Sequence, residues 1–326
     1  MSDAANACGT GLVILLLQGP CSWFFTRLAR ALGARGARVL RVLFCPGDAL
    51  FWRGPGAHVF RGRAEDWPGW FSAFCRREGV SDIVCLGDGR ALHADAIGEA
   101  RGLGLRVHVV EQGYLRPGWL TVEPGGTGGR SRLPRDPVAY RGAGRAGMPP
   151  APAFRAGFAG YAAMDVAWNL ANLLAAWAFF PHYRGHALDP PLREWSGWIG
   201  KALRRRATRR RVAEVMARLA DHRGPVFLLP LQLETDFQIR LHGPTGGQRP
   251  LLRRVVRDFA AHAAADALLV VKRHPLDNGL TPWRAMLRKA AAEARVENRV
   301  AFLPAGDIET CLRRSAGVLT VNSTVG

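Results

Sequence analysis

Lysine is nearly missing from this chain: of 45 basic residues only Lys201, Lys272 and Lys289 are not arginine. Such a bias partly reflects a GC-rich genome, so the formal net charge of +19 says less about partners than its size implies. It still favours anionic ligands or surfaces. No aromatic residues interleave with the charge in an RNP-like pattern, which disfavours nucleic acid as a partner.

Other absences narrow the field further. The six cysteines (Cys8, Cys21, Cys45, Cys75, Cys85 and Cys311) form no C-x-x-C pair and have no histidine at zinc spacing, so they read as reduced core residues of a cytoplasmic protein. No basic region precedes the apolar run of "MSDAANACGTGLVILLLQGP", and that run reads as a first strand rather than a signal peptide. A membrane span wants about 20 mostly apolar residues. The longest such stretch, "MDVAWNLANLLAAWAFFPHY" (164–183), is broken by Asp165, Asn169 and Asn172 and is expected as a buried or interfacial helix. The first βα turn, "LQGPCSWFF", supplies Gly19, Pro20 and an N-cap in Ser22 but no G-x-G-x-x-G, so no dinucleotide site is read from it. No metal site is evident, and no repeat of fixed short period appears.

What is present is a βα rhythm. "LVILLL" (12–17), "RVLRVLF" (38–44), "DIVCLG" (82–87) and "RVHVVE" (106–111) alternate with helical segments at 23–32, around 69–77 and at 93–102. From Pro124 to Pro152 the composition turns to Gly, Pro and Arg and reads as an ordered loop or linker. A mainly helical segment follows, including "KALRRRATRRR" (201–211), a solvated or connecting helix whose alternative use is attraction to anionic lipid. The rhythm resumes with "VFLLPL" (226–231), "ALLVVK" (267–272), "VAFLP" (300–304) and "GVLTVNSTVG" (317–326). The expected class is α/β with two Rossmann-like domains whose parallel sheets face a cleft, a GT-B-like outline. The domains are expected at 1–155 and 222–326, with 156–221 as a helical connector. The chain stops where a βα unit should supply a helix, so the C-terminal domain reads as truncated.

Polar groups gather after the strands, where α/β folds hold ligands. In "LPLQLETDFQIR" (229–240), Gln232, Glu234 and Asp236 share a side if the backbone is extended. A carboxylate there can attack an anomeric carbon or take a hydroxyl proton; an ordinary turn with solvated acids gives the same sequence. In "VVKRHPLDN" (270–278), Pro275 keeps His274 extended at a strand end. The imidazole can hold a phosphate oxygen or protonate a leaving group, with Lys272 or Arg273 adding charge, unless it is a structural histidine. In "TVNSTVG", Ser323 and Thr324 read as N-cap residues able to hold an anion. Glu111 closes a strand in "VVEQGYLRPGW", while Asp48 in "GDALFW" and Asp88 in "GDGR" read as turn formers rather than catalysts.

Together the segments "GDALFWR", "RGRAEDWP", "EQGYLRPGWLTVEPGG", "PLQLETDFQIR", "KRHPLD" and "LTVNSTVG" resemble the capsule polysaccharide biosynthesis proteins of the KpsS/LipB type, over nearly the whole chain. The resemblance implies a retaining β-Kdo transferase that takes 3-deoxy-D-manno-oct-2-ulosonic acid from CMP-Kdo. It places the first Kdo on lysophosphatidylglycerol at the cytoplasmic face of the Gram-negative inner membrane, and a KpsC-type transferase and the capsule export complex are its implied partners. By motif, Asp236 is the attacking carboxylate and His274 contacts the CMP phosphate. Ser323 and Thr324 complete the nucleotide site with Gln232 and Lys272, and Glu111 matches the first acid of an E-D-G motif whose second acid is replaced here by Gln112. Phosphate stabilisation by His274 and Lys272 takes the place of a divalent metal, so no cofactor is expected. An inverting transfer with Asp236 as general base, or a non-catalytic scaffold or export role, stays open beside this reading.

Overall fold

The computed structural model describes residues 11–113, 119–141, 157–321, 323 and 325. Contacts divide the chain into two units, Met1–His186 and Ala187–Gly326.

Unit 1 runs β1 (Val13–Leu16), α1 (Phe24–Gly33), β2 (Arg38–Leu43), α2 (Pro46–Leu50), β3 (Ala57–Val59), α3 (Trp67–Glu78), β4 (Asp82–Leu86), α4 (Ala91–Gly102), β5 (Arg106–Gln112), β6 (Leu120–Pro124) and α5 (Phe158–Phe179). The sheet order is β3-β2-β1-β4-β5-β6. All pairs are parallel except β5 with β6. The strands are near-continuous aliphatic runs because both faces are covered. Leu15, Leu40, Val42, Ile83 and Val107 pack on one face with Trp67, Phe71 and Phe74 of α3. Ile14, Leu16, Val39, Leu43 and Val84 pack on the other with Phe25 and Ala29 of α1. The alternation is the period of two that a pleated strand imposes.

Unit 2 begins with α6 (Pro191–Leu203) and α7 (Arg205–Asp221), then runs β7 (Val226–Pro230), α8 (Phe237–His242), α9 (Gln248–His262), β8 (Leu268–Lys272), α10 (Trp283–Glu293), β9 (Val300–Leu303), α11 (Ile308–Arg313) and β10 (Gly317–Val318). Its sheet, β10-β7-β8-β9, is wholly parallel. Leu229, Leu269 and Val271 meet α9 and α10 through Val256, Phe259, Trp283 and Leu287. Leu228, Leu268 and Val270 meet α7 and α11 through Leu219 and Cys311. Both units are therefore Rossmann-like three-layer sandwiches.

Three elements escape sequence reading. α2 and β3 are five and three residues long in a Gly- and Pro-rich stretch, too short to show a period. β6 lies at the sheet edge and turns antiparallel, exposing Leu120 and Val122 while burying Glu123. The segment expected as a connector divides: α5 belongs to unit 1, and α6 and α7 to unit 2. What ties α5 down is a close approach at Gly47 of α2, whose N–H donates to Asn172 Oδ1 at 2.8 Å. A Cβ on Gly47 would stand 2.4 Å from the Trp168 indole, so only glycine fits there. None of the described helices is long and apolar enough to cross a membrane.

Candidate active-site edges of the two units

In each sheet the chain winds outward from one strand in opposite directions. The order β2-β1-β4 in unit 1 matches β8-β7-β10 in unit 2, which opens a crevice at the carboxyl ends of β1 and β4, and of β7 and β10. Such switch points are where open α/β sheets bind ligands, because the neighbouring loops leave in opposite directions.

At the unit 1 switch point, Arg90 Nη1 donates to Gln18 Oε1 at 2.9 Å, joining the turn after β4 to the turn after β1. The Gln18 amide donates to Asp48 Oδ2 at 3.3 Å and to the Tyr183 hydroxyl at 3.2 Å. Asp48 Oδ2 also accepts the Phe44 N–H at 3.0 Å, and its other oxygen lies 3.6 Å from Arg41 Nη2. Arg41 is 4% exposed, its guanidinium set against the rings of Phe25 and Trp52 at 5.0 and 5.6 Å. Burial pulls its pKa down while Asp48 holds it up.

Next to this network stands the turn after β4. Gly87 has φ +69°, a left-handed conformation that a side chain would strain. His93 Nδ1 donates to the Gly87 carbonyl at 2.9 Å and is fully buried; desolvation, and then the Arg90 charge, push its pKa down to about 3, so the ring stays neutral. Asp88 accepts from Thr127 N at 3.3 Å and lies 3.6 Å from Arg130. Glu111 Oε1 accepts from the Thr127 hydroxyl at 2.9 Å, joining β5 to the loop after β6. Asp88 lies in the bend after β4 as expected, whereas Asp48 lies inside the short helix α2 rather than in a turn, and each faces an arginine. Gln18, Arg41, Arg90, Thr127 and Tyr183 escape sequence reading because Arg41 sits inside β2 and the others come from loops up to 165 positions apart.

The unit 2 edge differs. Asp236 N donates to Leu233 O at 3.0 Å, so the segment after β7 turns instead of extending, and the shared side expected for Gln232, Glu234 and Asp236 does not form. Glu234 accepts the Gln248 N–H at 3.0 Å and pairs with Arg249 at 3.7 Å, at the start of α9. Gln232 is tied to the same place, its N–H donating to Gln248 Oε1 at 3.4 Å. Asp236, half-buried, opens α8: its carbonyl accepts the Arg240 N–H at 3.1 Å. Ser323 makes a hydroxyl turn, its Oγ accepting the Val325 N–H at 3.2 Å. Thr324 lies outside the described residues.

His274 follows β8, which pairs with β7 up to Pro230 opposite Lys272. Its Nδ1 accepts the Leu276 N–H at 3.1 Å, which puts the ring proton of the neutral form on Nε2. The His-Pro turn is anchored by Asp277, a residue without an assigned role in the sequence. Its buried carboxylate accepts from Trp283 Nε1 and Gly279 N, both at 2.9 Å. From the other side, Lys201 Nζ donates to the carbonyls of Pro275 (2.6 Å) and Asp277 (2.8 Å). Lys272 is 5% exposed; burial lowers its pKa, with Cys311 and Asp307 opposing. Arg273 points elsewhere, donating to Pro304 O at 3.1 Å. Among the described residues no group of three or more His, Cys, Asp or Glu side chains gathers as a metal-ligand set. The described cysteines are free, and burial raises Cys75 and Cys85 to about 12.

Two α/β units with polar turns at the carboxyl edges of their parallel sheets define a Rossmann-like protein of two domains. Residues 81–326 match the capsule polysaccharide biosynthesis protein family, and the chain belongs to it. It is 31% identical to the capsule polysaccharide export protein KpsS of Escherichia coli, over 99% of this chain and 83% of that one. It is likewise 31% identical to the capsule polysaccharide modification protein LipB of Neisseria meningitidis serogroup A, over 96% and 76%. Among solved structures, the UDP-GlcNAc 2-epimerase of Methanocaldococcus jannaschii aligns over 94% of this chain and 77% of its own, with 12% identity and a TM-score of 0.26. The S. aureus MnaA–UDP complex aligns over 96% and 75%, with 10% identity and a TM-score of 0.29.

Proposed function

We propose that this capsule biosynthesis protein is a glycosyltransferase that moves Kdo from CMP-Kdo to lysophosphatidylglycerol, with retention of configuration, at the inner face of the Gram-negative inner membrane. The observation that carries the reading is the placement of the Asp236 and His274 turns on adjacent parallel strands, one of them flanking the unit 2 switch point. In the first step a carboxylate oxygen of Asp236 bonds to the anomeric carbon, and the bond from that carbon to the phosphate oxygen breaks, its electron pair leaving with CMP. His274, with its Nε2 proton, and Lys272 meet the charge that grows on the phosphate, so the step needs no metal. In the second step the acceptor hydroxyl bonds to the same carbon and releases Asp236. Glu111 is the candidate base for the acceptor hydroxyl proton.

Incubation with CMP-Kdo and lysophosphatidylglycerol followed by mass spectrometry tests the activity. Asp236→Ala should lower transfer at least about a thousand-fold with the thermal melt unchanged, and full activity in that variant removes Asp236 from the mechanism. An inverted anomeric product would make Asp236 a general base instead. The word "export" in the name of the Escherichia coli relative favours a second reading, a non-catalytic component of capsule assembly; absence of CMP or CMP-Kdo binding by calorimetry would select it.

A further inference from the structure

Unit 2 contains a cavity of about 500 Å³ away from the Asp236 turn, between α6 and α7 on one side and the loops after β8 and β9 on the other. Lys201, Arg205, Arg209 and Arg273 line it, with Trp198 and Val212 as apolar wall, and no lining residue is acidic. Lys201 and Arg273 are held in place by the carbonyl bonds described above, and the Lys201 ammonium stands 4.3 Å from the Trp198 ring centre. Burial and the neighbouring Arg273 charge lower the Lys201 pKa, with Asp277 opposing. Arg205 and Arg209 sit one turn apart on α7, both exposed, and among the described residues neither takes part in an ion pair.

The lining narrows what anion fits. It offers no Asp, Glu, Asn or Gln side chain to accept the hydroxyls of a ribose or the amino group of a base. Cationic donors over an apolar wall suit a phosphate carried on an apolar body. The helix that forms one wall has the matching surface: Leu192, Ile199 and Leu203 of α6 are 65%, 61% and 81% exposed. Their spacings of seven and four residues put them on one helix face. Residues 191–211 carry eight basic side chains against one acid, Glu194. An exposed apolar stripe beside a dense positive charge is the composition of a helix that lies in an anionic lipid interface.

We propose that α6 and the start of α7 dock on an anionic phospholipid leaflet, the Leu192–Ile199–Leu203 stripe entering the acyl region and a lipid phosphate seating among Lys201, Arg205, Arg209 and Arg273. This rests on the membrane-facing part of the proposed function and specifies the segment that meets the membrane; it does not depend on the sugar donor. Flotation of the full chain with vesicles tests it. Binding is expected to phosphatidylglycerol in phosphatidylcholine and not to phosphatidylcholine alone. Arg205→Ala with Arg209→Ala should lower partitioning roughly thirty-fold, from about 1 kcal/mol per basic residue near the surface. Ile199→Ser with Leu203→Ser should also lower it, with the melting temperature of both variants unchanged. Addition of millimolar CMP or inorganic phosphate should leave vesicle binding in place. Equal binding to neutral and anionic vesicles, unchanged partitioning of the double arginine variant, or displacement by CMP or phosphate would overturn the proposal, the last two anions marking the cavity as a site for a soluble ligand. Kdo transfer to a short-chain acceptor in solution separates the two readings: its loss with vesicle binding intact sinks the transferase, and the converse sinks the docking surface.

Discussion

The two units wind alike and arm their carboxyl edges oppositely. In unit 1 the edge is closed upon itself: Asp48 faces Arg41, Asp88 faces Arg130, Gln18 joins Arg90 to Tyr183, and the charges are matched within the fold. In unit 2 the acid Glu234 is spent on the start of α9, while Arg273, Lys201, Arg205 and Arg209 surround a cavity with no carboxylate in its lining. A matched edge is rigid and its groups depend on one another. An edge where cations outnumber acids favours an anion.

The sharpest break of this contrast is in unit 1. Asp48→Ala leaves Arg41 buried without its carboxylate and the Phe44 N–H without an acceptor, and should cost about 3–5 kcal/mol, read as a large fall in melting temperature. A fall of under about 1 kcal/mol would mean that the network is not interdependent. Acid comes next. Because the folded pKa of His93 is depressed, its contribution is complete above the unfolded value near 6.5 and is lost as pH falls toward about 3. Stability at pH 5 should lie about 2 kcal/mol below that at pH 7 from this residue alone. His186, also held near 3 by burial, adds in the same direction. Melts of His93→Gln should show a shallower acid slope, and an unchanged slope would contradict the assignment. The smallest effect is expected in unit 2. Asp277→Asn keeps one acceptor for Trp283 and Gly279 and sets an amide against the other donor, for about 1–2 kcal/mol. In the proposed transfer its signature is a fall in kcat that exceeds any rise in KM, since the loosened turn carries the imidazole that meets the charge growing on the phosphate.

The strands and most helices were legible because aliphatic runs and polar turns repeat at βα spacing. The runs that became β1, β2, β4, β5, β7, β8 and β9 could be marked within a residue or two of their ends. β6 was hidden by its place beside a Gly- and Pro-rich stretch, where an antiparallel edge strand needs no strong pattern. At the site, Asp236 and His274 could be named because each lies in the polar loop that follows a strand. The turn that redirects Asp236 away from Glu234 could not, since it depends on the tie between Glu234 and the first N–H of α9. Nor could the partnership of Lys201 with the His-Pro turn, which spans 74 to 76 positions.

The Trp283 indole has a consequence for how variants of this chain will behave. Its ring is buried in the apolar layer beneath α9 and α10, while its single N–H reaches the carboxylate that anchors the His274 turn. A repacking of that layer, even one that leaves the unit fully folded, is therefore transmitted along one rigid side chain to the imidazole. Substitutions in that layer, at Leu252 or Leu287, should alter the proposed transfer before they alter solubility.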